Sequence, residues 1–180
     1  MEELWSEMNS VTVRNRQFTR RVQVPLLRRI TRTLVSELLD KKRFELGVYL
    51  VSEAEVTQLN EAYVRHKGPT DVITFDYCET ALAGEIFVCV DEACIQARRY
   101  RTTWQSEVVR YIVHGVLHLS GYDDRRSAER RRMKVAEDAL VAELERRFRF
   151  NELAPGGNSQ GRRSKAERGP KSEIQRRYQE

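Results

Sequence analysis

The spacing of apolar positions changes several times along the chain, and each change predicts an element. Ser10 to Arg14 (SVTVR) alternates apolar and polar residues, the two-residue repeat of a strand. Leu26, Leu27, Ile30, Leu34 and Leu38 then recur at helical spacing behind Pro25, which a first helical turn tolerates. They predict a helix to about Leu39. Phe44 to Val51 (FELGVYLV) reads as a second strand. Ser52 followed by Glu55 has the form of a capping box, opening a helix that carries Val56, Leu59 and Tyr63. Gly68-Pro69 stops that helix, and a third strand runs near Val72 to Phe75. Gly84 to Val90 (GEIFVCV) makes a fourth. Helices follow at about Asp91 to Arg101, Ser106 to Leu119 and Ser127 to Phe148, the last with Met133, Ala136, Leu140, Leu144 and Phe148 inward. The expected architecture is a single α+β domain, an about four-stranded mixed sheet with helices packed on it.

The apolar pattern stops near Leu153. Residues 1–153 are therefore read as the domain and 154–180 as a basic, disordered tail rich in Gly, Ser, Arg and Lys. The tail alters the meaning of the formal charge of +5: it holds seven Arg or Lys against three Glu, so the body is close to neutral. Basicity by itself therefore does not point to nucleic acid. No apolar run approaches the roughly 20 residues that span a bilayer. The beginning MEELWSEMNS is acidic and lacks the flank and apolar centre of a signal peptide, so a cytoplasmic address is expected. Cys78, Cys89 and Cys94 are odd in number and form no C-x-x-C, which argues against a disulfide framework or thiolate zinc site. Each is expected to be a small buried hydrophobe.

Candidate chemistry lies in HGVLHLSGYDD. Two of the three histidines, His114 and His118, stand four residues apart, one above the other on a helix face. Two imidazoles so placed suit one divalent ion at about 2.0–2.1 Å each. Val108, Val109, Ile112, Val113, Val116 and Leu117 bury the rest of that helix. Gly121 ends it through a left-handed turn and sends the chain back toward the same face. Asp124 is the candidate third ligand; Asp123 is its rival, and spacing does not separate them. Three protein ligands with positions left open are the mark of a catalytic ion. Zinc proteases of the H-E-x-x-H-x-x-G-x-x-H type share the spacing, but Gly115 stands where their glutamate base would be. Two-His-one-carboxylate iron oxygenases use the same donors in a different chain order.

HGVLHLSGYDD resembles the motif H-G-x-L-H-L-x-G-Y-D-H of the YbeY family of bacterial metal-dependent endoribonucleases. GPTDVITFDY is similar to that family's P-T-D-V-x-[ST]-F strand, and AGEIFVCVDEACIQA to its G-[DE]-I-x-I-[SC]-x-[DE]-x-x-x-x-Q-A region. ERRRMKVAEDALVAEL is similar to its M-x-x-x-E helix, so the resemblance covers about Val11 to Leu144 in order. It implies an α+β fold and one Zn²⁺ per chain, held here by His114, His118 and Asp124. It also implies cleavage of single-stranded rRNA, work on the small ribosomal subunit, and formation of the 16S rRNA 3′ end. His114 and Arg65 are the expected catalytic residues, with Arg65 as an electrostatic clamp on phosphate and either bound water or the ribose 2′-OH as nucleophile.

Two departures stand out. The third ligand is usually histidine; Asp124 is shorter and adds negative charge, which weakens the ion as a Lewis acid and lets iron or manganese compete. The family's arginine follows directly on the aromatic that closes the second helix, whereas Val64 intervenes here between Tyr63 and Arg65. His66 in the next loop is a possible acid or base, Thr70 and Asp71 are expected to fix that loop, and Glu85 to line the cleft or end a strand. Arg130 to Lys134 offer cations for an RNA backbone. A different class of function, a ribosome-assembly factor whose ion only holds the fold, fits the same residues.

Overall fold

A computed structural model describes residues 9–64, 70–78 and 80–155. Four strands form one mixed sheet: β1 (Asn9–Asn15), β2 (Phe44–Val51), β3 (Val72–Cys78) and β4 (Leu82–Cys89). Their order is β1-β2-β4-β3, with β2 parallel to both β1 and β4, and β3 antiparallel to β4 along the edge. The two central strands are buried along their whole length. Strands covered on both faces read as nearly unbroken apolar runs, which is the form of FELGVYLV and LAGEIFVC.

Five helices pack around the sheet: α1 (Val24–Thr33), α2 (Glu53–Leu59), α3 (Val90–Tyr100), α4 (Trp104–Leu119) and α5 (Ser127–Arg147). Leu46, Val48, Leu50, Ile86 and Val88 face α1 and α4 in the main core, and α5 lies over α4. Tyr49, Val51, Ile73, Phe87 and Cys89 face the other way, where Val56 of α2 covers them. Phe150 and Leu153 pack into the core from a short 3₁₀ turn.

Element boundaries moved where side chains compete for the backbone. The first predicted helix widens into a π turn at Leu34–Leu38, where the Ser36 hydroxyl donates to the Arg32 carbonyl at 2.8 Å. Such back-bonding loosens the ladder, and the Leu39 amide reaches five residues back to Leu34. The second helix widens likewise at Asn60–Val64. Only half of its capping box forms: Ser52 accepts from the Glu55 amide, while the Glu55 carboxylate pairs with Arg16 at 2.9 Å. Val90 begins α3 instead of ending a strand, and α4 starts two residues early because Thr103 caps it, accepting from the Ser106 amide at 3.1 Å. All three cysteines are free; Cys89 is buried, which pushes its thiol up to about 11, but Cys78 and Cys94 are only half-buried, contrary to expectation. Among the described residues no helix is long and apolar enough to cross a membrane.

Candidate metal centre

Helix α4 carries the candidate ligands because its opposite face is locked into the core. Val108, Val109, Ile112, Val113, Val116 and Leu117 are all buried. Gly115 lets the helix sit directly on β4: a Cβ there would lie 2.8 Å from Cγ2 and 2.9 Å from Cδ1 of Ile86. The position that holds a glutamate in zinc proteases is here a packing contact with the sheet. His114 and His118 project from the other side, each about a quarter to a third exposed.

The helix ends in a Schellman motif. The Gly121 amide donates to the His118 carbonyl at 2.9 Å and the Tyr122 amide to the Leu117 carbonyl at 3.0 Å, with Gly121 at φ +90°. This turn brings Asp124 back over the histidines. It also places the Tyr122 carbonyl 3.0 Å from His118 Nδ1. A carbonyl only accepts, so Nδ1 of His118 is the donor, which leaves Nε2 as the acceptor of the neutral ring.

His114 is oriented from a different helix. Its Nδ1 lies 3.0 Å from Oε2 of Glu137 on α5. Burial alone would raise the Glu137 pKa, but hydrogen bonds from His114, Lys134 and Arg110 outweigh it and take the carboxyl down to about 2. Burial disfavours the charged imidazole of His114, yet the hydrogen bond and charge of Glu137 raise its pKa above the ordinary 6.5. An ionised carboxylate on Nδ1 makes that nitrogen the donor, leaving Nε2 of the neutral ring as the acceptor.

The two Nε2 atoms face each other at 3.1 Å, with Asp124 Oδ2 at 3.9 Å from one and 3.8 Å from the other. Two acceptors and a carboxylate oxygen at this separation repel unless a cation or proton lies between them. A triangle of these sides encloses a point about 2.1 Å from each corner, the usual zinc-to-imidazole separation. The donor set thus fits one divalent ion. Asp123 is used differently: its Oδ1 accepts from the amides of Asp124 at 2.7 Å and Arg125 at 3.0 Å, holding the turn.

The three side chains open onto a groove of about 680 Å³ that runs along β3 and includes Asp71, Thr74, Asp76 and Arg125. Asp71 fixes the entrance to β3 by accepting from the Val72 amide at 2.9 Å and the Thr70 hydroxyl at 3.2 Å, as the turn chemistry predicts. A family model described as endoribonuclease YbeY matches residues 12–145. The chain belongs to the YbeY family. A Bacteroides fragilis protein named endoribonuclease YbeY is 33% identical over 109 residues, covering 60% of this chain and 78% of that protein. A Syntrophotalea carbinolica protein of the same name is 32% identical over 150 residues, covering 78% of this chain and 99% of that protein. A solution structure from Thermotoga maritima superposes with a TM-score of 0.60 at 27% identity, covering 83% of this chain and all of that one.

The other expected residues fare differently. Arg65 and His66 fall outside the described residues; Tyr63, two positions before Arg65, packs edge-on against Phe75 of β3 at 5.5 Å. Glu85 neither lines the groove nor ends a strand. It sits mid-strand in β4, fully buried on the α2 side, accepting from the hydroxyls of Tyr49 and Tyr77 at 2.9 Å each. Arg130 donates to the Asp124 carbonyl at 2.9 Å and Lys134 pairs with Glu137 at 2.9 Å, so both serve the site's framework. Sequence reasoning missed Glu137, Arg110 and the Tyr122 carbonyl. Glu137 is the glutamate of the M-x-x-x-E segment, a signal that carried no role until α5 was seen to lie over α4.

Proposed function

We propose that this protein is a metal-dependent endoribonuclease that cleaves single-stranded RNA, with His114, His118 and Asp124 holding one zinc ion. The observation that carries the reading is the convergence of two imidazole Nε2 atoms, 3.1 Å apart, with a carboxylate oxygen in the lining of an open groove. The charge of that groove supports it too. Among the described residues Asp71, Asp76, Asp123 and Asp124 line it against the single cation Arg125. Such a surface repels a phosphate backbone unless a divalent cation offsets it.

When bound, the ion supplies a Lewis acid that polarises a phosphoryl oxygen and lowers the pKa of water. The chain's own residues do the rest. His114 and His118 present Nε2 in fixed tautomers, and Asp124 adds a negative ligand from the turn. Arg125 stands at the rim for a phosphate, and Arg65 is proposed as the clamp on the scissile group. The family membership supports ribosomal RNA as the substrate, with the small subunit, 16S rRNA 3′-end maturation and a cytoplasmic setting as the finer reading. Residues 1–153 are proposed as the catalytic domain and 154–180 as a basic appendage.

The test is elemental analysis of the purified protein, then an RNase assay on the same sample with and without chelator. Zinc near one equivalent and chelator-sensitive cleavage by a protein that stays folded are expected. Cleavage retained by a metal-free His114→Ala/His118→Ala double variant would overturn the proposal. Unfolding on chelation would instead assign the ion a structural role in a ribosome-assembly factor.

A further inference from the structure

We propose that Glu137 is a positioning residue for His114, so that α5 governs the metal site without contributing a ligand to it. The inference rests on the reading that the site binds a divalent ion, and goes beyond it by assigning a function to a second layer of side chains.

The two ligand histidines are held by unlike means. His118 donates to the carbonyl of Tyr122 in its own turn, a neutral acceptor four residues away. His114 instead meets a carboxylate from a helix 23 residues further along the chain. That carboxylate is anchored: Glu137 is 5% exposed, and its Oε1 accepts from Arg110 Nη1 at 2.6 Å and Lys134 Nζ at 2.9 Å. Both cations are shared with Asp138, at 2.6 Å and 3.1 Å. Two carboxylates and two cations cancel, so the quartet adds no net charge beside the ion. What it adds is direction, because Oε2 of Glu137 is left aimed at Nδ1 of His114.

Each member has an evident task. Arg110 lies one helical turn before His114 on the same face of α4 and ties α4 to α5. Lys134 lies one turn before Glu137 and pins the carboxylate from the other side. With Oε1 occupied twice, rotation of the Glu137 head would break two ion pairs to lose one imidazole contact. The ring is thereby held with Nε2 toward His118 and Asp124. A neutral amide at 137 could present either oxygen or nitrogen to Nδ1 and would leave two cations facing the ligand against Asp138 alone. Both changes oppose binding of a divalent cation. Partners that orient ligand histidines in this way commonly contribute 10–100-fold in metal affinity.

The experiment uses the full chain. Zinc affinity is measured by competition with a chromophoric chelator for the wild type, Glu137→Gln and, as a control on the same helix, Glu143→Gln. Imidazole tautomers are read in the metal-free wild type by long-range ¹H–¹⁵N NMR. The expected results are a proton on Nδ1 of His114, a 10–100-fold weaker affinity in Glu137→Gln, and wild-type affinity in Glu143→Gln. A neutral His114 ring in the wild type with its proton on Nε2 and none on Nδ1 would overturn the inference whether or not Glu137→Gln folds. So would a folded Glu137→Gln that binds zinc within twofold of the wild type. A wild type that binds no zinc would sink the metal reading, while the tautomer measurement would still report on the Glu137 contact.

Discussion

Replacing Gly115 by alanine tests the packing that seats helix α4, and with it the candidate metal centre, on the sheet. In an exposed helix interior the change stabilises by about 1 kcal/mol, because alanine gives up less backbone freedom than glycine. Here the new methyl would sit 2.8, 2.9 and 3.1 Å from Cγ2, Cδ1 and Cγ1 of Ile86. All three contacts fall on one fully buried β-branched side chain. Its χ1 has little freedom, and the sheet behind it is packed on the far side by α2. Either Ile86 leaves its rotamer or α4 lifts from β4, and overpacking of this kind costs about 1–3 kcal/mol. The two effects oppose each other, and the steric one is the larger. A net loss of about 1 kcal/mol follows.

Urea unfolding at constant slope reads this difference as a lower midpoint. The companion variant Ile86→Val removes Cδ1 and costs about 0.5–1.5 kcal/mol alone. In the double variant one of the three close contacts is gone, so the combined loss should fall short of the sum by at least 0.5 kcal/mol. Zinc affinity should change little, because His114 and His118 ride on the same rigid helix. A Gly115→Ala protein more stable than the wild type would refute the reasoning, since helix propensity would then dominate a site where α4 is not pressed on β4.

The two neighbouring aspartates should separate cleanly by zinc content and stability. Asp124→Ala is expected to lose the metal with little change in the metal-free protein. Asp123→Ala should keep the metal but lower the urea midpoint, as the amides of Asp124 and Arg125 lose their acceptor; the reverse pattern would exchange their roles. The metal-free protein should also show a pH dependence set by Glu137 and His114. The Glu137 pKa is depressed from 4.5 to about 2, so its contribution of roughly 3 kcal/mol is complete above pH 4.5 and lost as pH falls toward 2. The pKa of His114 is raised, so its contribution is complete below 6.5 and lost as pH rises through the folded value. Urea midpoints should therefore peak between about pH 4.5 and 6.5 in chelator-treated protein, and Glu137→Gln should flatten that peak. Equal pH profiles for the two proteins would contradict the assigned contact.

Local chemistry explains which parts of this site were legible in the sequence. The two histidines and the glycine that reverses the chain lie within eight residues, and each acts through a rule that depends only on spacing. The four strands could be read for the same reason, as could the Thr70–Asp71 turn. Glu137 could not, because its role depends on α5 crossing α4 with Arg110 and Lys134 in the same layer. Glu85 was misplaced on similar grounds: alternation fixes which face of β4 it occupies, but only the sheet order shows that this face turns away from α4 toward Tyr49 and Tyr77.

The tautomers depend on the same kind of long-range packing. Spacing places two imidazoles on one face whether their Nε2 atoms carry protons or lone pairs, and only lone pairs suit a metal. That choice is made by the acceptors behind the rings, a backbone carbonyl for His118 and a carboxylate for His114. The Tyr122 carbonyl follows from the glycine turn and could in principle be inferred from it. The Glu137 carboxylate requires the tertiary fold. With Asp124 in place of the histidine of the family motif, one proposed ligand already depends on how closely a turn approaches the ion. Accurate placement of the remaining two is then what keeps the three donor atoms near a common centre.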